Sequence, residues 1–272
     1  MTLFRFSLTG RLSRVRLFRL KLAELSYLKA NSSRSLIFAN EKVRISRREL
    51  MRYLERGGMP GMFAIRDESE RIALLEDWLA LSLERDLRQI PKVSLESDLA
   101  RRLLIAIART EEPTAGSLAK QVGCGLQKAK LYLDTLCTLF IIQKLLPHPR
   151  GTGKPIYFLG DVSFASYFQA SFERQLQTWL LQEISSQLSY RGEGSATLYY
   201  YRGSRGGIVD LVIERRNSLS AIKLLSSESL DERELQVLLA WKKKERGLLT
   251  FALGGLRAKI HNIQIFPWEA IG

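Results

Sequence analysis

Between Leu99 and Leu159 the chain alternates patterned segments with hard stops, and this order constrains its fold more than any other feature. Leu99, Leu103 and Ile107 recur at helical spacing, and Pro113 closes the run. Ser117 to Val122 starts a second helix, Gly123-Cys124-Gly125 supplies a turn, and a third helix runs from about Leu126 to Leu139. Phe140 to Leu146 reads as a strand, Pro147 to Lys154 as a glycine-containing basic loop, and Ile156 to Leu159 as a second strand. Helix, helix–turn–helix and hairpin follow each other in the order of a winged helix. In such a unit the helix after the turn enters a DNA groove, here carrying Gln127, Lys128 and Lys130. The hairpin loop, with His148, Arg150 and Lys154, is then placed to touch phosphates. Winged helices also serve as protein-docking modules, so the pattern leaves both uses open.

Charge bears on that choice. The 272 residues carry 42 Lys and Arg against 28 Asp and Glu, a formal +14. Residues 1–60 hold 14 basic and 4 acidic side chains, so most of the excess sits in the first fifth of the chain. Such a region attracts phosphate backbones, anionic headgroups or an acidic protein surface, unless it is simply a solvated face. Two isolated cysteines, Cys124 and Cys137, exclude a disulfide framework or a cysteine metal cage. Only two histidines, His148 and His261, leave little room for zinc or histidine catalysis. No run of 18 apolar residues exists and no secretory leader is apparent, so the expectation is a cytoplasmic protein without a membrane span.

The flanks divide differently. Ser13 to Leu22 alternates basic and apolar residues like a half-buried strand. Ser46 with Glu49 has capping-box spacing ahead of Leu50, Tyr53 and Leu54, and Gly57-Gly58 stops that helix. Glu70 to Leu87 is helical, with Ile72, Leu75, Leu79 and Leu83 on one face. After the hairpin come a helix from Ser171 to Leu188, strands at 198–201, 208–214 and 219–225, a helix from Asp231 to Glu245, and strands at 248–253 and 263–266. The fold class expected is α+β: a helical N-terminal half with a winged helix, then an α/β domain. The divisions fall at 1–95, 96–162 and 163–272.

These segments resemble the C-terminal part of a family of prokaryotic AAA-superfamily ATPases. The resemblance rests on Ser7-Leu-Thr-Gly-Arg11, Leu22-Ala-Glu-Leu25, Arg56-Gly-Gly-Met-Pro60, Leu83-Glu-Arg-Asp-Leu87, Tyr200-Tyr-Arg202 and Val209-Asp-Leu-Val-Ile-Glu214, in that order over nearly the whole chain. It implies a winged helix followed by a PD-(D/E)XK nuclease-like domain of unknown function, with residues 1–95 as the edge of an ATPase core plus a helical linker. Two departures shape the expected function. No Gly-x-x-x-x-Gly-Lys-Ser/Thr exists to wrap nucleotide phosphates, and Gly151-Thr-Gly-Lys154 lies between two hairpin strands rather than opening a helix.

The second departure concerns the nuclease-like site that the resemblance implies. Asp210 stands where its first acid belongs, and Glu173 resembles its helical acid. Lys223 occupies the glutamate position and Leu225 the lysine position of its Glu-x-Lys pair. A cation repels Mg²⁺ and leucine moves no proton, so neither catalysis nor a cofactor is expected. The reading from sequence is therefore a non-catalytic, truncated relative of these ATPases that binds nucleic acid, with DNA as a candidate partner, through the winged helix and the basic N-terminal region. The alternative is a protein-interaction module docking an ATPase core on another chain, and residual metal-dependent nuclease activity ranks last.

Overall fold

A computed structural model describes residues 17–25, 45–90, 95–225 and 231–271. The basic residues at 1–16 and 26–44, Pro91, and Ser226 to Leu230 lie outside that set. In the first half, α1 (Leu22–Leu25), α2 (Arg47–Arg56), α3 (Pro60–Phe63) and α4 (Glu68–Leu81) are followed by one π turn (Ser82–Asp86) and α5 (Leu87–Gln89). Then come α6 (Ser97–Arg109), α7 (Ala115–Val122), α8 (Leu126–Thr138), β1 (Ile142–Pro147) and β2 (Ile156–Leu159). The rest runs α9 (Val162–Tyr167), α10 (Phe172–Tyr190), β3 (Thr197–Arg202), β4 (Ile208–Arg215), β5 (Ser218–Leu224), α11 (Glu232–Lys244), β6 (Leu248–Gly254), β7 (Ala258–Ile260) and β8 (Ile263–Pro267).

Local signals set many of these boundaries. The Ser46 hydroxyl accepts from Glu49 N while the Glu49 carboxylate accepts from Ser46 N, so two orphan donors at the start of α2 are satisfied reciprocally. Gly123, at φ +71°, closes α7 in the left-handed region that favours glycine. The segment read as a strand behaves otherwise: the described part, 17–21, has no regular secondary structure and pairs with no strand among the described residues, and Leu22 opens α1. Its backbone is tied by Leu20 N to Gly58 O and by Leu22 N to the buried Glu183 carboxylate. Along α4 the inward stripe is Arg71, Leu75, Leu79 and, within the π turn, Leu83. Ile72 is 42% exposed instead, because Arg71 takes the inner position and reaches Glu55 at 2.6 Å.

The eight strands form one mixed sheet in the order β2-β1-β3-β4-β5-β6-β8-β7. The β1–β2 hairpin is joined to the C-terminal strands through two parallel pairs, Leu146↔Tyr199 and Pro147↔Tyr200. The main core runs from Leu22 to Ile271 and draws on residues from all three sequence segments. It includes Leu211, Ile213 and Ile222 on the sheet face that α10 covers, while Val209, Val212, Ala221 and Leu225 join a smaller cluster under α11. Arg47 of α2 lies 4.0 Å over the Trp268 ring, so the first full helix meets the C-terminal turn.

The loop between β1 and β2 does not project. His148 N donates to Tyr200 O at 2.7 Å, Thr152 N to Arg202 O at 3.1 Å, and the Tyr200 hydroxyl to Lys154 O at 2.7 Å. It is folded onto β3 as an extension of the sheet, which is why its residues are only partly available to a ligand.

Candidate functional site

Two surfaces bear on function. The first is the outer face of α8. Gly125 precedes this helix, its inner face buries Ala129, Tyr132, Leu133 and Leu136, and the helical period therefore turns Gln127, Lys128 and Lys130 outward. Lys128 pairs with Glu96 at 2.9 Å, while Lys144 pairs with Asp134 farther along. Exposed Leu126 and Leu131 interrupt the polar surface. Of the loop residues, Lys154 is exposed and Arg150 is engaged by Glu245 at the end of α11. His148 departs from the expectation that it meets phosphate: it is buried against Tyr199 and Trp241, each 5.4 Å away, and burial holds its imidazole below the usual histidine range.

The second surface is the polar cluster between α10 and the sheet. A register shift sets Tyr199 and Tyr201 of β3 against Val212 and Val209 of β4, so that one residue of β3, Tyr200, stands opposite two of β4, Asp210 and Leu211. Asp210 sits on that bulge, a device that re-aims side chains. Its Oδ2 accepts from Lys223 Nζ at 2.9 Å and from Leu224 N at 2.8 Å, and its Oδ1 accepts from Gln177 Nε2 at 2.9 Å. Gln177 Nε2 also donates to Glu173 at 3.4 Å, and its oxygen accepts from the buried Arg174 at 3.1 Å.

Glu173, Asp210 and Lys223 thus share one neighbourhood, and Leu225 does not. Leu225 is buried in the apolar cluster under α11, against Gly254. Burial and the nearby Asp210 carboxylate raise the Glu173 carboxyl above its usual range. Burial works to lower the Lys223 ammonium, but the charge and hydrogen bond of Asp210 outweigh it and hold it above the ordinary lysine value. Lys223 therefore stays charged at neutral pH. Gln177 escaped the sequence reading; its only signal was the four-residue spacing from Glu173, which puts both on one helix face. Glu234, on α11, was missed as well; burial raises it, while Lys223 opposes that.

Among the described residues no group of three His, Cys, Asp or Glu side chains is arranged to hold a metal ion, and no helix is long and apolar enough to cross a membrane. Comparison with curated proteins gives no match, and neither does comparison with solved structures. One family, described as Domain of unknown function (DUF8612), matches residues 47–171, the stretch from the start of α2 to the residue before α10. That match takes in α8 and the β1–β2 hairpin and leaves the Asp210–Lys223 cluster outside.

Proposed function

We propose that the chain is a non-catalytic, cytoplasmic relative of the C-terminal part of prokaryotic AAA-superfamily ATPases, and that it binds nucleic acid through a winged helix formed by α6, α7, α8, β1 and β2. The observation that carries the reading is the bridge between Thr114 and Ile156. It is a one-residue bridge that ties the segment between α6 and α7 to the hairpin, at the place a winged helix gives its third strand, and α8 remains the outward helix after the turn. The C-terminal sheet with α10 is read as a nuclease-like domain in which Lys223 replaces the metal.

Duplex binding by the full chain, followed across a salt series, tests the first part. Lys130→Ala and Lys154→Ala should each weaken unrelated duplexes about equally and flatten the salt slope by about one unit. Arg150→Ala should change little, because Glu245 already holds that guanidinium. A Lys130→Ala/Lys154→Ala double variant that binds like the parent would remove α8 and the loop as contact surfaces.

The metal-free reading has its own test. Mg²⁺ and Mn²⁺ should leave the parent's melting temperature unchanged and support no cleavage. Lys223→Glu should gain a metal-dependent rise, since it adds a carboxylate beside Asp210 and Glu173. Leu225→Lys is the wrong companion, because it would bury an ammonium in an apolar cluster. Metal-dependent cleavage by the parent, abolished in Asp210→Ala, would overturn the reading.

A second reading, docking of an ATPase core on another chain, is favoured by exposed apolar side chains. Leu126 and Leu131 on α8 and Ile72, Leu74 and Leu81 on α4 offer more to a protein than to a phosphate backbone. A stoichiometric, salt-tolerant complex with such a core would favour it over nucleic acid.

A further inference from the structure

An open cavity of about 1140 Å³ lies between α11 and the β3–β4 turn, and of its lining only Lys223 and Glu234 belong to the cluster described above. The turn is pressed against the helix: Gly203 N donates to Gly207 O at 2.9 Å, and a Cβ on Gly207 would stand 2.9 Å from the Val237 Cβ. Glycine is what lets this wall close up on α11. The lining combines two chemistries. Arg205, Lys223, Arg233, Lys243 and Lys244 face a single acid, Glu234, while Ile208, Val237, Leu239 and Trp241 supply an apolar surface.

Some of those cations are already occupied. Lys223 is held by Asp210 and Arg233 by Asp231, each at 2.9 Å. Among the described residues no carboxylate pairs with Arg205, Lys243 or Lys244. The negative end of the helix dipole accounts for lysines in the last turn of α11, but not for Arg205 on the facing turn. Three unpaired cations converging on one recess therefore ask for an anion. Arg233 and Lys244 are separated by about 16 Å along α11, at roughly 1.5 Å per residue. The volume is also at or above the roughly 300–1,000 Å³ of pockets for small organic ligands. A lone inorganic phosphate leaves most of this recess empty.

We propose that the cavity binds an organic polyphosphate, its apolar or aromatic body on the Ile208–Val237–Leu239 side and its phosphates on Arg205, Lys243 and Lys244. The site is separate from α8 and stands whether or not α8 binds a duplex. Two sources share this chemistry, a free nucleoside polyphosphate and a short single strand, and the probes distinguish them.

Calorimetric titration of the full chain with adenosine triphosphate, a thymidine trinucleotide and inorganic tripolyphosphate tests the proposal. At least one organic probe should bind one to one, with tripolyphosphate at least tenfold weaker for want of a body. The organic probe that binds more tightly names the source. Arg205→Gln/Lys243→Gln/Lys244→Gln should weaken the organic probe at least tenfold while duplex binding stays at the parent level. Ala240→Glu, which adds an acid to the exposed lining, should weaken it as well. Absence of binding by both organic probes, parent-like binding by the triple variant, or tripolyphosphate binding as tightly as the organic probes would overturn it.

Discussion

Replacing Asp161 with Ala should lower the unfolding free energy by about 3–5 kcal/mol, the range found when one partner of a buried ion pair is removed. Asp161 is 0% exposed and serves four partners at once. Arg19 Nε lies 3.0 Å from Oδ2, Gly58 N donates at 3.2 Å, Gln182 Nε2 at 3.4 Å, and Ser163 N at 2.8 Å caps α9. The truncation strips a counter-charge from Arg19, opens the cap of α9 and leaves the Gly58 amide without its acceptor. The chain is shaped around this carboxylate. Gly57 has φ +74°, and a Cβ there would fall 1.9 Å from Oδ1. Urea denaturation of parent, Asp161→Ala and Asp161→Asn measures the effect, with Asn retaining an acceptor and losing less. A loss under about 1 kcal/mol in the alanine variant would mean that the network contributes little beyond packing.

The second large effect is a pH dependence carried by Glu183. This residue of α10 is buried, and burial pushes its carboxyl up to about 7 against donors from Gln187 and Leu22 N that favour the ionised form. Lys21 favours ionisation as well, and Glu24 opposes it. Below about pH 4.5 folded and unfolded chains both hold the proton. Between there and 7 the folded chain keeps it and the unfolded chain gives it up, so stability falls as pH rises. Above 7 both are ionised and the loss is complete, on the order of 3 kcal/mol from a shift of about 2.5 units at 1.36 kcal/mol each. Glu183→Gln keeps an acceptor for Leu22 N and removes the titration. Urea midpoints at pH 5 and pH 7.5 should therefore differ more in the parent than in the variant. Equal differences in the two proteins would refute the assignment.

These two acids also show what sequence can and cannot convey. Helix ends were legible wherever the signal is local: Ser46 with Glu49, Pro113 after α6 and Gly123 after α7 act within a few residues of themselves. The meeting of Lys223 with Asp210 followed from the positions that the resemblance gives them, and the β4–β5 hairpin brings the two together. What failed depends on distant partners. Ile72 and Arg71 are both compatible with a helix, and only Glu55, sixteen residues back, decides which turns inward. His148 reads as a surface cation until Tyr199 and Trp241 close over it. Helix α9 is short and carries little periodicity; Asp161 caps it locally through Ser163 N, but its burial depends on the distant Arg19 and Gly58. Asp161 and Glu183, the acids with the largest expected effects, left no motif at all.

The strand order has one more consequence. A sheet recruits a partner strand only through a free outer edge, and both outermost strands are blunted. On β2, Thr114 bridges Ile156 and Pro113 O accepts from Tyr157 N, while Phe158 and Leu159 beyond are buried. At the other end β7 is three residues long with exposed Lys259 at its centre. Neither offers the run of open amides and carbonyls that strand addition needs. Among the described residues, then, neither outer edge of this sheet gives a second copy a backbone template on which to polymerise, and a ligand that meets these edges is gripped by side chains.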